Sequence, residues 1–349
     1  MLALAVIWGT AAWSLWQSVV PTNLELPEGS LAGIPPATLE RADRYELFFR
    51  IEFVLSQLVL LGVLAVYAKY GIRFAKESAA GRIGTGMLLG MIGLALVWIS
   101  QVPFRLAEVW WDRRYDQTDS GYVETLFANW IELGAEFLFV CFALVIVMAL
   151  AGRFPRRWWL GAAPVFIGLA FLFGFIYPYL TPTERLERAD LQTAGREYAA
   201  KQGIDPIPLR LKAVLAHEVA HHSSNHLFEG VAWYALFALP GAWLIARLTR
   251  SRGGMASPAA VPLSLLVVVV LNLLSLPVYN VISRHMEREA DWKALETTRR
   301  PEPAKSLFRE FTIQSLNDPD PPTWSYLLFD SHPSVQDRIA MAEAWLRTK

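Results

Sequence analysis

The sequence predicts an all-α, polytopic membrane protein of about seven transmembrane helices, and two observations carry that expectation. The 349-residue chain is 54% hydrophobic, holds 14 tryptophans and is only 18% charged, which is too apolar for an ordinary water-soluble domain. Its apolar residues also gather into seven continuous runs near the roughly 20 residues that a helix needs to cross a bilayer. Lys plus Arg equals Asp plus Glu at 32 each, so nothing in the overall charge points to nucleic acid or to an acidic partner; the expected surrounding is a lipid bilayer. The single cysteine, Cys141, lies in an apolar run. It excludes an internal disulfide and a cysteine-rich metal site, and is expected as a small core hydrophobe.

The runs extend from Met1 to Val20, Phe48 to Tyr67, Gly84 to Phe104, Trp130 to Leu150, Trp158 to Leu180, Val231 to Leu248 and Val261 to Ile282. The first has no positively charged start and no clear small-residue cleavage site, so it reads as an anchor rather than a signal peptide. Glu52, Arg105, Glu108, Glu132 and Glu136 lie in or beside these runs. Either they sit at headgroup depth, or they face a hydrated chamber enclosed by the helices, as ionisable groups within a membrane usually do. Glu132 and Glu136, four apart on one helix face, favour the chamber.

Four regions follow: residues 1–180 with five spans and short loops, 181–230 with a polar loop and helix, 231–282 with spans six and seven, and 283–349 as a C-terminal helical region. "SRGGMASPAA", residues 251–260, reads as a flexible turn between spans six and seven. "NDPDPP", residues 317–322, separates helical stretches around 305–315 and 334–346.

Chemistry concentrates in the two longer polar regions. "LAHEVAHH" contains His217-Glu218-Val219-Ala220-His221, and the preceding "RLKAVLA" has helical periodicity without Gly or Pro. On a helix the two imidazoles share a face and can reach one zinc ion, while Glu218 addresses a water at the same place. A catalytic zinc wants a third protein ligand. "SRHMEREAD" supplies Glu287 and Asp291 at i and i+4, beyond the seventh run. One of these carboxylates can ligate the metal while the other orients a ligand histidine; alternatively the stretch is a solvated helix end. Two spans separate the two motifs, so both emerge on the same membrane face. The expected whole is an HExxH metalloprotease site of the zincin type at the membrane interface.

Taken in order, "LAHEVAHHSSNH", "SRHMEREAD" and "SHPSVQDRI" resemble the membrane-embedded zinc proteases of the Ste24/CAAX prenyl protease 1 family, related more distantly to the HtpX proteases within the M48-type peptidases. Five spans before HExxH and two after it look like Ste24, and the resemblance covers most of the chain. It implies His217, His221 and Glu287 as ligands of one Zn2+, Glu218 as general base, and Asp291 as the partner of a ligand histidine. It implies His332 as an oxyanion stabiliser, against the alternative of a turn histidine before Pro333, and Arg338 as a brace nearby. His222 and His226 read as surface or packing histidines, and His285, two residues before Glu287, as solvated.

The implied activity is that of a zinc-dependent endopeptidase acting on membrane-associated or lipidated polypeptides; a catalytically idle bundle retaining a zinc site is the alternative. Members of this family usually carry a β-hairpin with an Asn-Ala pair before HExxH. Here "KQGIDPIPLRLKAVLAHE" passes almost directly into the helix, which puts edge-strand binding of substrate in question. An intramembrane-cleaving protease fits less well, because Lys212, Ser223, Ser224 and Asn225 flank the motif closely. The expected location is a prokaryotic cell (inner) membrane. Lys69, Arg73, Lys76, Arg82, Arg153, Arg156, Arg157, Arg247, Arg250 and Arg252 follow spans two, four and six, which places the site outside the cytoplasm; the resemblance to Ste24 implies the cytosolic face.

Overall fold

A computed structural model describes residues 2–21, 24, 29, 31–77, 79–128, 130–180 and 209–348. The described residues form α-helices joined by turns and short 3-10 segments, with no strand among them. In chain order these are α1 (Leu2–Leu15), α2 (Pro36–Tyr70), α3 (Ile72–Glu77), α4 (Gly81–Arg114), α5 (Tyr122–Ala128), α6 (Trp130–Arg153), α7 (Trp158–Leu180), α8 (Leu209–Ser223), α9 (His226–Leu248), α10 (Val261–Thr298), α11 (Pro301–Ser315), α12 (Thr323–Leu328) and α13 (Val335–Arg347). The stretch expected to replace the family's hairpin, up to residue 208, lies outside the described residues.

Among the described residues, six helices are long and apolar enough to cross a membrane: Pro36–Phe74, Gly81–Arg114, Leu133–Arg153, Trp158–Ile176, His226–Arg252 and Pro258–Thr298. Only 11–28% of their most apolar windows is buried inside the protein, so most of that surface needs lipid as its solvent. The chain is a polytopic membrane protein. The first expected span is shorter than its composition suggested: α1 has 14 residues, about 21 Å of helix at 1.5 Å per residue, against roughly 30 Å of hydrocarbon.

The residues cluster into two compact units, one of Met1–Glu46, Phe171–Trp233 and Leu276–Lys349, the other of Leu47–Ala170 and Tyr234–Ser275. In the second unit Leu89, Leu144, Met148, Trp158, Ala246 and Val261 form a buried core. α4 packs closely on α6 at Gly90, where a Cβ would stand 2.5 Å from Leu144 Cδ1 and the leucine would have to turn aside. Tyr67 Oη donates to the Leu89 carbonyl at 2.6 Å, tying α2 to α4. The segment between α9 and α10 contains two 3-10 turns, Thr249–Arg252 and Pro258–Ala260, and Met255 and Ala260 in it are buried. Cys141 is half-buried on α6. Glu136 is exposed, and the Glu132 side chain lies outside the described residues.

The first unit holds the polar motifs. Trp292 and Leu295 of α10, Ala304 and Phe308 of α11, and Val335, Ile339, Met341, Ala342 and Trp345 of α13 form its core. That apolar cluster fixes the last turns of α10 against α13. It thereby sets where Asp291 and Arg338 meet.

Candidate metal centre

On α8, Ala216 and Ala220 are fully buried and Val219 nearly so, while His217 and His221 project from a neighbouring face one turn apart. Glu287 and Asp291 stand one turn apart on α10 in the same way. Tertiary packing brings the two pairs together. His217 Nε2 lies 3.0 Å from Glu287 Oε2, His221 Nε2 lies 3.4 Å from Glu287 Oε1, and the two Nε2 atoms are 3.1 Å apart. One donor atom from each of His217, His221 and Glu287 falls within 4.8 Å of the others. Two donors each about 2.0–2.1 Å from a tetrahedral ion stand roughly 3.3–3.4 Å apart, so these spacings and this two-nitrogen, one-oxygen set suit a small divalent ion.

Around this triad the other expected residues converge. His217 Nδ1 is 2.8 Å from Asp291 Oδ1, which leaves Nε2 for the centre. Arg338, buried at 8% exposure, bridges the two carboxylates: Nη2 is 3.4 Å from Glu287 Oε2 and Nε is 3.3 Å from Asp291 Oδ2. Burial by itself would push the His217 imidazole down, but its hydrogen bonds to Asp291 and Glu287 outweigh that and lift its pKa to about 9. His332 Nε2 stands 3.5 Å from Glu287 Oε2, on a largely exposed side chain, and its Nδ1 is 3.1 Å from Ser331 Oγ. Glu218, His217 and His332 line one cavity of about 460 Å³. Leu295, Leu307, Phe308 and Phe311 give it an apolar lining, and Glu46, Asp318 and Asp330 line it as well.

The comparisons with known proteins agree with this picture. Residues 208–346 match the profile of peptidase family M48. That stretch holds the triad, Glu218, Asp291, His332 and Arg338. Over those residues the chain is similar to peptidase family M48. The uncharacterized metalloprotease YhfN of Bacillus subtilis (strain 168) is 35% identical to this chain over a 140-residue alignment that covers 37% of this chain and 33% of YhfN. The chain thus spans about a third of the length of the curated relative it matches. Among solved structures, S. mikatae Ste24p superposes with a TM-score of 0.66 over 97% of this chain and 96% of that one, at 14% identity. The likeness is one of fold, and it extends well beyond the residues that match the M48 profile.

Several residues between 208 and 346 make contacts that the sequence did not announce. His285 is not solvated: its ring stacks on Trp16 at 4.3 Å between centroids. His226 is 5% exposed, and its Nδ1 lies 2.8 Å from His221 Nδ1, whereas His222 is exposed as expected. Arg284 donates from Nη1 to the Tyr326 carbonyl at 2.7 Å and also to that of Asp330, pinning the segment that leads to His332. Asp337 accepts from Tyr326 Oη at 2.6 Å and from Arg288 Nη2 at 2.9 Å. Burial first, and then this carboxylate, push the Tyr326 phenol up to about 12, so it stays a donor. One signal was available for His226. Asn225 sits at φ 57°, a left-handed conformation that Asn tolerates, and "SSN" directly before a histidine marks a tight reversal that returns it to the preceding helix.

Proposed function

We propose that this chain is a zinc-dependent integral-membrane endopeptidase that hydrolyses peptide bonds of membrane-associated or lipidated polypeptides. The observation that carries the reading is the convergence of His217, His221 and Glu287 from two helices beside a cavity that Glu218 also lines. The profile match to peptidase family M48 and the Ste24p-like fold support it. The likeness to a Bacillus subtilis protein favours a bacterial cell membrane as its location.

A zinc ion held by His217, His221 and Glu287 would supply Lewis acidity, acidifying water and polarising a carbonyl. The chain's own groups do the rest. Asp291 keeps the His217 proton on Nδ1, so that Nε2 offers its lone pair to the centre. Arg338 offsets the negative charge of Glu287 and Asp291, which would otherwise repel each other across one helical turn. Glu218 takes a proton from the attacking water and returns it to the departing amine nitrogen. With Ser331 Oγ–H directed at its Nδ1, His332 keeps a proton on Nε2 and can donate it towards the carbonyl oxygen as that atom gains charge. The apolar wall of the cavity seats a substrate side chain beside the scissile bond.

Purified protein incubated with an unstructured peptide should cleave it, lose the activity to a chelator and regain it with zinc. Glu218→Gln should retain the metal while lowering turnover by about 100-fold or more. Cleavage that survives chelation, or full activity of Glu218→Gln, defeats the reading; metal binding without cleavage by the wild type would instead make the chain an idle bundle.

A further inference from the structure

The two histidines of the triad are supported differently. His217 is backed by a carboxylate directly, at 2.8 Å, and its side chain is 13% exposed. His221 is 26% exposed, and its Nδ1 meets an imidazole, that of His226, with ring centroids 4.8 Å apart and planes at 76°. To present the Nε2 lone pair to the centre, neutral His221 must carry its proton on Nδ1, and that tautomer needs an acceptor there. His226 Nδ1 accepts only when the His226 proton sits on Nε2. That Nε2 is buried without a hydrogen bond and faces Glu289 Oε2 at 3.7 Å, an ion-pair distance from which a small movement makes the bond. Glu289 is held in turn by Lys293 Nζ at 3.2 Å, and Lys293 donates to Ser224 Oγ at 2.7 Å. Ser224 lies in the reversal between α8 and α9, so the chain of contacts leaves α8 through His226, crosses to α10 and closes back on the same turn.

We propose that His226, set by Glu289, is a positioning residue that selects the Nδ1–H tautomer of His221 and so prepares it as a metal ligand. His221 Nδ1–H donates to His226 Nδ1, and His226 Nε2–H points at the Glu289 carboxylate. The pair does for the second histidine what Asp291 does for the first, through one intervening ring. This rests on the reading of His217, His221 and Glu287 as the metal site.

The test measures zinc affinity of the full-length protein in detergent by competition with a chromophoric chelator, for the wild type, His226→Asn, His226→Gln, His226→Leu, Glu289→Gln and Glu287→Ala. In Asn the amide oxygen takes nearly the place of the imidazole Nδ1 and can accept from His221, so His226→Asn should stay within about threefold of wild type. Gln puts its amide near the Nε2 position instead and Leu has no acceptor, so both should weaken binding about 10- to 100-fold, with Glu289→Gln in between. The visible absorption of bound cobalt should match wild type in His226→Asn and change in His226→Gln. Gln binding as tightly as Asn overturns the proposal. So does His226→Leu binding as the wild type does; if the Leu variant does not fold, the Asn–Gln contrast still decides. A wild type that takes up no zinc, or Glu287→Ala binding it equally well, removes the underlying metal site.

Discussion

Asp291→Asn is the sharpest probe of how the metal centre is built. The residue is 3% exposed, accepts from His217 Nδ1 at 2.8 Å and lies 3.3 Å from Arg338 Nε. Asn preserves its size and can still accept from the imidazole, but without charge. Hydrogen bonds to charged groups contribute about 1.5–3 kcal/mol and neutral ones about 0.5–1.5 kcal/mol. The exchange therefore costs about 1–1.5 kcal/mol, close to tenfold in zinc affinity, at the lower end of the 10- to 100-fold expected when the support of a ligand is weakened. Asp291→Ala differs in kind. It also strips Arg338 of one of two buried partners, and breaking a buried pair costs about 3–5 kcal/mol, so the metal-free protein should unfold at lower temperature as well. Chelator competition measures the first effect and thermal unfolding without metal the second. The reasoning fails if Asp291→Asn binds zinc within twofold of the wild type while Glu287→Ala does not bind it.

Three further outcomes follow from the geometry. In the metal-free chain the His217 pKa of about 9 stands above its ordinary 6.5, so the stability it confers is fully present below pH 6.5 and is lost as pH rises through 9. Metal binding needs the unprotonated ring and should strengthen over that window, about tenfold per unit, releasing about one proton at pH 7; titration calorimetry in two buffers of different ionisation enthalpy would show no buffer dependence if this is wrong. Arg284→Met, freeing the carbonyls of Tyr326 and Asp330, should lower kcat with zinc affinity unchanged, because the loop leading to His332 loses its anchor while the triad keeps its contacts; an unchanged kcat would contradict that coupling. Ile339→Ala, at a site with 0% exposure in the α10–α11–α13 core, should destabilise the protein by about 2–5 kcal/mol in denaturant unfolding, and a loss under 1 kcal/mol would mean that this core does not hold α13 in place.

What could be read from the residues in order was whatever repeats along a helix or a bilayer. Apolar run length located six of the spans, since crossing a membrane is a requirement on consecutive residues. The i, i+4 pairs His217/His221 and Glu287/Asp291 declared their shared faces, because helical periodicity is local. The first run misled for a related reason: composition alone does not show that α1 stops at Leu15. His226 was set aside because "SSN" marks a reversal but does not say which ring the returning histidine meets, and His285 because a tryptophan 269 positions earlier covers it, Trp16 against residue 285.

By itself, then, the sequence determined that this is a helical membrane protein with two metal-capable pairs, since each of those properties is a pattern within one segment. Only the tertiary structure decided that the pairs meet at 3.0–3.4 Å, that Arg338 lies between their carboxylates and that His221 leans on His226. Those distances arise from side chains packing between helices far apart in the chain, and the free energy of that packing depends on which atoms touch rather than on how residues are spaced.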